Sequence, residues 1–398
     1  MQTFLLAAIL AWALFGHAVL CLALINRVHA TAIPTRIGKL VWLSAAVIVP
    51  AVPILFAYWF WIRTVHSGTT LTFSTVPLAA VPYLATCWLA ACLATFHWCR
   101  KHVDRARPDS LRSDRRRTLR LLQNPTPPDS DDHEHHFLVR LPGNQILELD
   151  VAERAIDLPG LPQALDRLTI LHLSDLHFSG RVAKAYFQEA VQICNELEPD
   201  LVAVTGDLVD RSDCIGWIAD TLGNLKSRYG RFFVLGNHDV ETDVPSLLAQ
   251  MAEAGFVDVA GRCIEIEAGR ERIVLGGNVL PWIAPAADFG EAPSPSRCGG
   301  PIRIALSHSP DQFPWAQRNE VDLLLAGHLH GGQIRLPLIG PIVAPSWHGI
   351  RYSSGVFHSH PTIMHVSRGL SGEIPLRLNC RPEVAKLTLH AHPADRPS

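Results

Sequence analysis

Five short motifs contain the residue types that bind metal ions in proteins. Their seven candidate ligands are Asp175, His177, Asp207, Asn237, His308, His328 and His330. Carboxylate, imidazole and amide ligands suit borderline or hard divalent metals such as Mn, Fe or Zn. Seven ligands are too many for one tetrahedral ion. The set therefore indicates two divalent ions that share a bridging ligand.

Each motif alone has an ordinary structural explanation, and only the combination is specific. A single Asp-x-His, as at Asp175 and His177, occurs by chance in many proteins, and Gly-Asp after a strand is commonly a turn. The Gly-Asn-His-Asp segment at 236–239 and the Gly-His-x-His-Gly-Gly segment at 327–332 are more specific. Five such motifs, each after an apolar segment, favour a shared function over coincidence. Glycines beside the ligands let the backbone bend sharply and approach a substrate closely.

The apolar segments before these motifs have the composition of buried strands. Predicted strands cover residues 168–173, 201–205, 231–235, 272–275, 302–306 and 321–325, and predicted helices cover 182–197 and 245–254. Continuous apolar strands that alternate with helices predict an α/β fold whose sheets are buried on both faces. Ligands of open α/β sheets bind at the carboxyl ends of the strands. The segment 286–301, rich in Pro, Gly and Ser, is predicted to be a surface loop.

The motif order resembles the calcineurin-like metallophosphoesterases. Asp-x-His, Gly-Asp-x-x-Asp, Gly-Asn-His-Asp, a single His and Gly-His-x-His follow one another within about residues 168–389. This resemblance implies an α/β/β/α sandwich that hydrolyses phosphoric esters with two metal ions. Four further segments, at 158–162, 327–337, 366–369 and 374–377, are similar to bacterial membrane-anchored members of the superfamily.

The same resemblance implies a role for each ligand. Asp175, His177 and His330 would hold the first metal; Asn237, His308 and His328 would hold the second; and Asp207 would bridge both.

Three residues are expected to take part in catalysis: His238, Asp210 and Asp207. By resemblance, His238 would stabilise the transition state or protonate the leaving oxygen. Asp210 would orient that imidazole, as carboxylates behind a site commonly do. Arg211 occupies a position where some phosphatases of the superfamily bind phosphate, although membrane-anchored members often lack this arginine.

The N-terminal quarter is far more apolar than the remainder. The whole chain is 48% hydrophobic and only 18% charged, whereas about 25% of residues are charged in ordinary soluble proteins. Apolar runs at 4–25, 40–62 and 76–98 each approach the ~20 residues that cross a bilayer. A cleaved signal peptide is the alternative for the first run, but no Lys or Arg precedes it. Three transmembrane helices are therefore predicted.

These patterns divide the chain into four segments. Residues 1–99 are predicted to hold the transmembrane helices, 100–136 a basic juxtamembrane segment and polar linker, 137–392 the catalytic domain, and 393–398 a tail. Basic residues are concentrated in the first loop and after residue 98, whereas the second loop holds only Arg63. The positive-inside rule then predicts a multi-pass inner-membrane protein with a cytoplasmic catalytic domain.

The basic run from Arg100 to Arg120 has two interpretations. In the first, it only fixes the membrane topology. In the second, it also attracts anionic lipid headgroups. Nucleic-acid binding is not expected, because no aromatic residues alternate with the charges. The linker at 124–136 includes a His- and Asp-rich segment at 131–136 that could bind metal, but nothing in the sequence fixes its geometry. The nine cysteines are scattered and do not predict a disulfide framework.

The predicted function is hydrolysis of a phosphodiester or pyrophosphate bond at the membrane face. A lipid-linked substrate such as UDP-diacylglucosamine, which some anchored relatives hydrolyse, would explain the membrane spans. The alternative is a non-catalytic metal-binding membrane scaffold, which the complete ligand set disfavours. A transporter is disfavoured because the spans contain no charged residues that could line a path. The sequence predicts no oligomeric state.

Overall fold

The computed structural model describes residues 2–33, 35–68, 72–103, 108–122, 137–290, 292 and 295–391. The chain divides into two compact units, Met1–Ala106 and Arg107–Ser398. We call them the N-terminal and C-terminal units.

The N-terminal unit is helical. Its long helices are α1 (Gln2–His29), α2 (Thr35–Trp61) and α3 (Val81–Val103). Among the described residues, three stretches are long and apolar enough to cross a membrane: Phe4–His29, Leu43–Trp61 and Leu78–Cys99. They coincide with the three predicted runs. Pro50 and Pro53 lie inside α2. Membrane helices tolerate internal prolines better than soluble helices do.

The C-terminal unit contains two large sheets in its described part. Its strands are β1 (Leu111–Arg120), β2 (Glu148–Leu158), β3 (Thr169–Leu173), β4 (Leu201–Thr205), β5 (Arg231–Val234), β6 (Phe256–Asp258), β7 (Cys263–Ala268), β8 (Glu271–Asn278), β9 (Ile302–Ser307), β10 (Leu323–Ala326), β11 (Arg335–Leu336), β12 (Gly340–Pro341), β13 (Gly355–Ser359), β14 (Thr362–Val366) and β15 (Glu383–Ala391). The first sheet has the order β1-β2-β15-β3-β4-β5-β6, and the second has the order β13-β14-β10-β9-β8-β7. Strands β11 and β12 form a separate hairpin.

The helices of this unit cover the outer faces of the sheets. They are α4 (Lys184–Glu196), α5 (Trp217–Asp220), α6 (Val244–Glu253) and α7 (Phe313–Arg318). Phe187 of α4 and Met251 of α6 pack with Leu171 and Val204 on one face of the first sheet. Phe313 of α7 packs on the outer face of the second sheet.

The two sheets pack face to face through a common apolar core. Ile170 and Ala203 of the first sheet share this core with Leu275, Ile304 and Leu323 of the second. Both sheets are therefore buried on both faces, which explains their continuous apolar strands. The predicted α/β class and α/β/β/α sandwich are confirmed.

Strand β1 is the arginine-rich segment that the sequence places in a juxtamembrane linker. It pairs antiparallel with β2, from Leu111–Ile156 to Arg120–Glu148. The structure thus includes this segment in the C-terminal unit, which begins at Arg107 instead of residue 137. Arginines are exposed on both faces of β1, and charged side chains on an edge strand prevent pairing with other chains.

The predicted loop 286–301 contains one short helical turn, Ser296–Cys298, in its described part. The linker at 124–136 with its segment 131–136, the tail at 393–398, Arg105 and Arg107 lie outside the described residues.

Candidate metal centre

The predicted ligands follow five parallel strands at their carboxyl ends. Strands β3, β4 and β5 are parallel neighbours in the first sheet, and β9 and β10 are parallel neighbours in the second. The loops after β3 and β4 are joined by main-chain bonds, since the amides of Asp175 and His177 donate to the carbonyls of Gly206 and Asp207, both at 3.0 Å. The two packed sheets thereby bring all seven candidate ligands together.

The backbone at five of these ligands has a left-handed conformation. The φ angles of Asp175, His177, Asp207, His328 and His330 lie between 48° and 70°. Such conformations cost about 1–3 kcal/mol each and persist only where the surroundings enforce them. Because several such conformations occur at one site, we infer that the fold accepts a local loss of stability in order to direct these side chains toward a common point.

A first cluster contains Asp175, His177, Asp207 and His330. Each offers one ligand atom within 4.8 Å of the others. Nε2 of His177 lies 3.2 Å from Nε2 of His330 and 3.7 Å from Oδ2 of Asp207. Nε2 of His330 lies 3.5 Å from Oδ1 of Asp175. This is the set that resemblance assigns to the first metal, together with the bridging residue.

A second cluster shares Asp207 with the first. It joins Asp207 to His308 and His328. Nε2 of His308 lies 3.2 Å from Oδ2 of Asp207, 3.0 Å from Oδ1 of Asn237 and 3.0 Å from Nδ1 of His328. Asn237 thus completes the group that resemblance assigns to the second metal.

The hydrogen bonds behind the histidines orient their lone pairs toward these clusters. Nδ1 of His308 is 2.8 Å from the carbonyl oxygen of Thr205, which can only accept a hydrogen bond. Nδ1 of His177 is 2.7 Å from Oδ1 of Asp210, and Nδ1 of His330 is 3.3 Å from the carbonyl oxygen of Ser371. In the neutral rings of His308 and His177, Nδ1 therefore carries the proton and Nε2 has a free lone pair.

The Nε2 atoms and the carboxylate oxygens consequently converge at short distances. Divalent cations in place of protons would stabilise such a group, and outer partners of this kind are characteristic of metal-binding histidines. The residues present fit a pair of divalent metal ions, with nitrogen and oxygen donors and no thiolate.

The electrostatics of the site favour positive charge. Burial opposes ionisation of Asp207, but the neighbouring His308 holds the pKa of its carboxyl well below the ordinary range. Burial disfavours the cationic form of His308, yet Asp207 raises the pKa of this imidazole to about 9. The carboxylates thus create a field in which cations are favoured. Burial and the cationic histidines beside them hold the pKa of His328 and of His330 well below normal. Both imidazoles therefore remain neutral and keep a lone pair that a metal ion could accept.

His238 and Asp210 lie at the edge of the first cluster. Oδ1 of Asp210 is 3.1 Å from Nδ1 of His238, and the same oxygen accepts the bond from His177. The His238 side chain is 27% exposed, unlike the fully enclosed His177. Burial lowers the pKa of His238, but Asp207 and Asp210 outweigh it and raise that pKa to about 10. His238 is therefore a protonated imidazole that solvent and substrate can reach.

Two glycines are needed for close packing around the carboxylates. A Cβ atom on Gly327 would collide with the Ser174 hydroxyl and lie 2.7 Å from Oδ2 of Asp175. A Cβ atom on Gly236 would meet both the backbone and the carboxylate of Asp207. The glycines of these motifs thus permit close approach of neighbouring loops.

Three residues of the site were not recognised from the sequence. Asp239 accepts hydrogen bonds from the amides of Gly236, Leu208 and Val209 at 2.8–3.0 Å, and so holds two ligand loops together. Its place in the Gly-Asn-His-Asp motif was the only available signal.

Trp282 and Arg377 contact different candidate ligands. The Trp282 ring contacts His308 and His328 edge to face, at centroid distances of 5.4 and 4.9 Å. Buried Arg377 donates to the carbonyl oxygen of His330 at 2.9 Å. Arg211 forms an ion pair with Asp213 at 2.6 Å and is partly exposed.

Comparison with known proteins places this geometry in a family. The profile of the calcineurin-like phosphoesterases matches residues 168–332. The phosphodiesterase YaeI of Escherichia coli is 32% identical over 225 residues, which cover 55% of this chain and 81% of that protein. The uncharacterized metallophosphoesterase YkuE of Bacillus subtilis is 29% identical and is covered over 85% of its length. A transmembrane protein with a metallophosphoesterase domain from Danio rerio is 30% identical, over 60% of this chain and 57% of that protein.

The coverage of the Escherichia coli relative, together with its level of identity, confirms the resemblance found in the motifs. The chain therefore belongs to the calcineurin-like phosphoesterases and is a metallophosphoesterase, a hydrolase of phosphoester bonds.

Proposed function

We propose that the protein is a membrane-anchored, two-metal phosphoesterase that cleaves a phosphodiester or pyrophosphate bond in a lipid-linked substrate such as UDP-diacylglucosamine. The observation that carries the two-metal part is the pair of ligand clusters that share Asp207. The three apolar helices support the anchor. In this proposal they span the inner membrane, and the positive-inside rule directs the C-terminal unit to the cytoplasm.

In the proposed centre, Asp175, His177 and His330 would hold one divalent ion, Asn237, His308 and His328 would hold the other, and Asp207 would be shared by both. Mn, Fe and Zn all suit these nitrogen and oxygen donors. When bound, two such ions would supply an activated water at neutral pH and neutralise charge on the phosphoryl oxygens.

The protein's own residues perform the remaining tasks. His238 carries a proton on an exposed imidazole and donates it toward the leaving oxygen. Asp210 holds His238 through Nδ1, so that Nε2 faces outward from the carboxylate. Trp282 covers the His308 and His328 rings and limits access of water to that side of the site.

The first test uses the full-length protein in detergent with bis-p-nitrophenyl phosphate as substrate. Metal-stripped protein is assayed before and after addition of Mn, Fe or Zn. We expect metal-dependent hydrolysis that Asp207→Asn and His238→Ala abolish or greatly reduce. His360→Ala, at an exposed histidine outside the site, is the matched control and should retain activity. A folded, metal-loaded protein without hydrolysis would contradict the catalytic proposal and favour a binding role.

The second test addresses the substrate. Protein in detergent is given UDP-diacylglucosamine, and cleavage of the pyrophosphate is followed by release of UMP. We expect a higher kcat/KM than for the soluble diester. Efficient turnover of soluble esters combined with no cleavage of lipid-linked pyrophosphate would exclude the lipid-linked substrate.

A further inference from the structure

An exposed apolar hairpin follows the last pair of candidate metal ligands. It consists of residues 334–341 and contains strands β11 and β12. Four of its aliphatic side chains are strongly exposed: Ile334 by 42%, Leu336 by 41%, Leu338 by 86% and Ile339 by 54%. Contiguous apolar surface of this kind commonly marks a site of interaction with a partner or a membrane. We call this element the apolar hairpin.

The base of the apolar hairpin is fixed to the metal centre. The amide of Gln333 donates to the carbonyl oxygen of His330 at 3.1 Å. The amide of Arg335 donates to Leu378, and the amide of Leu378 donates to Gln333, at 2.9 and 3.0 Å. The base of the hairpin is therefore tied to the loop that holds His330.

Two other exposed apolar side chains are attached to loops of the same centre. Ile374 is 47% exposed and lies between Ser371 and Arg377, which both bond to His330. Trp347 is 55% exposed, and its amide donates to Asp311, three residues after His308. Apolar groups thus accompany the loops of both ligand clusters, and tryptophan is a residue favoured at membrane–water interfaces.

The charge of this region suits an anionic bilayer. Arg335 lies within the apolar hairpin itself, and residues 323–372 contain no Asp or Glu, while exposed Glu373 directly precedes Ile374. Aliphatic side chains beside a basic residue are typical of segments that lie in the headgroup region.

The chain also supplies a short connection to a membrane. Helix α3 ends at Val103, and the C-terminal unit is described from Pro108. Four intervening residues extend over at most about 18 Å. If α3 spans a bilayer, as proposed above, the covalent chain keeps the C-terminal unit near its surface.

We propose that the apolar hairpin inserts into the boundary between headgroups and acyl chains of the bilayer. The metal centre is thereby held at the membrane surface, where a phosphoester or pyrophosphate group carried by a lipid reaches it without leaving the bilayer. This inference rests on the proposed membrane anchoring and identifies the surface through which the site meets its substrate.

A photo-crosslinking experiment tests the insertion directly. Full-length protein is reconstituted into nanodiscs of phosphatidylethanolamine and phosphatidylglycerol, with p-benzoylphenylalanine in place of Leu338. The matched control carries the same group at Val257, which is 39% exposed on the edge strand β6. We expect lipid adducts at position 338 and few at position 257. A protein–protein adduct at 338, no adduct there, or equal lipid labelling at both positions would overturn the inference.

A kinetic comparison tests the consequence for catalysis. Full-length Leu338→Asp and Val257→Asp are assayed in the same nanodiscs with a bilayer-embedded lipid phosphodiester and with soluble bis-p-nitrophenyl phosphate. For Leu338→Asp, we expect the ratio of lipid to soluble turnover to fall by on the order of tenfold, the effect of withdrawing one aliphatic side chain from an apolar environment. Val257→Asp should leave the ratio unchanged. An unchanged ratio in Leu338→Asp would contradict the proposal.

The two proposals fail in different ways. Absence of diester hydrolysis by the unmodified protein would refute the proposed function, and lipid adducts at position 338 would in that case still demonstrate insertion. Normal diester hydrolysis without lipid adducts at position 338 would refute only the insertion.

Discussion

Replacement of Asp210 by asparagine tests how one buried carboxylate serves two histidines. Oδ1 of Asp210 is 2.7 Å from Nδ1 of His177 and 3.1 Å from Nδ1 of His238. The asparagine oxygen can occupy the same position and accept both bonds. The substitution therefore removes the negative charge and changes the shape little.

The expected magnitude follows from the loss of charge assistance. Hydrogen bonds to charged groups contribute about 1.5–3 kcal/mol, whereas neutral ones contribute about 0.5–1.5 kcal/mol. Roughly 1 kcal/mol is thus lost at each imidazole. Through His177 this weakens a ligand, and substitutions behind a metal ligand typically reduce metal affinity by about 10–100-fold. At His238 it lowers the pKa that Asp207 and Asp210 raise to about 10, and it weakens the hydrogen bond that orients the imidazole; the poorer orientation is what should lower kcat.

The assay separates these two effects. Titration of metal-stripped protein with Mn, followed by diester turnover, gives an apparent affinity, and turnover at saturating Mn gives kcat. His238→Ala should lower kcat by about 10²–10⁴-fold, the usual contribution of a proton donor, with little change in Mn affinity. Asp210→Asn should lower both quantities. The double variant should combine the kcat of His238→Ala with the Mn affinity of Asp210→Asn.

The reasoning would be refuted by one clear pattern. If Asp210→Asn binds Mn as the unmodified protein does, and the double variant equals His238→Ala, then Asp210 acts through His238 alone. That is the role that family resemblance assigns to it. The hydrogen bond to His177 would then have no consequence for metal binding.

Three further predictions address packing and boundaries. Gly327→Ala should destabilise the fold by about 1–3 kcal/mol and reduce Mn-dependent turnover, because the new methyl group meets Ser174 and Asp175. Thermal unfolding and the diester assay measure these two effects, and values equal to those of the unmodified protein in both would contradict the close approach. Glu383→Gln should lower the free energy of unfolding, measured by denaturant, by about 3–5 kcal/mol, since it removes a buried charge that pairs with two arginines. Glu148→Gln, in a partly exposed pair, should lower it by at most about 1 kcal/mol, and equal effects of the two substitutions would be inconsistent with the burial of Glu383. A fragment that begins at residue 108 should be more stable than one that begins at residue 137, because only the first retains β1 against β2; identical melting temperatures would show that β1 is dispensable.

The sequence could indicate where the candidate ligands lie because strand ends are local features. An apolar strand followed by Asp, Asn or His identifies both the element and the edge of the sheet where that side chain lies. Parallel neighbours share an edge, so the order of motifs was sufficient to predict that Asp175, Asp207 and Asn237 would converge. The contribution of His308 and His328 depended on the second sheet, which the resemblance supplied.

Strand β1 could not be recognised in this way. Its segment contains five arginines among ten residues and has no apolar alternation of the kind that marks a half-buried strand. Pairing with β2 determines its conformation, and its position at the edge of the sheet allows both faces to remain charged. Strand propensity of this kind is set by tertiary context more than by local sequence.

The sequence also contained no indication of the polar network between the sheets, although this network extends to the candidate metal centre. His172 bonds to Thr205 at 2.9 Å and to His365 at 2.7 Å, and His365 contacts Arg154 at the same distance. Burial holds the pKa of His172 near 3, so this ring is a neutral connector instead of a charge. Thr205 in turn presents its carbonyl oxygen to His308.

This connection gives the buried network a role in positioning. The carbonyl of Thr205 selects the tautomer of His308, and the Thr205 side chain is itself held by His172. A buried polar group is costly unless it is fully bonded, which means that Thr205 has little freedom to rotate away. Nε2 of His308 is consequently directed toward Asp207 and Asn237 before any ion arrives. The sandwich thus prearranges its second ligand cluster from behind, through contacts that join the two sheets.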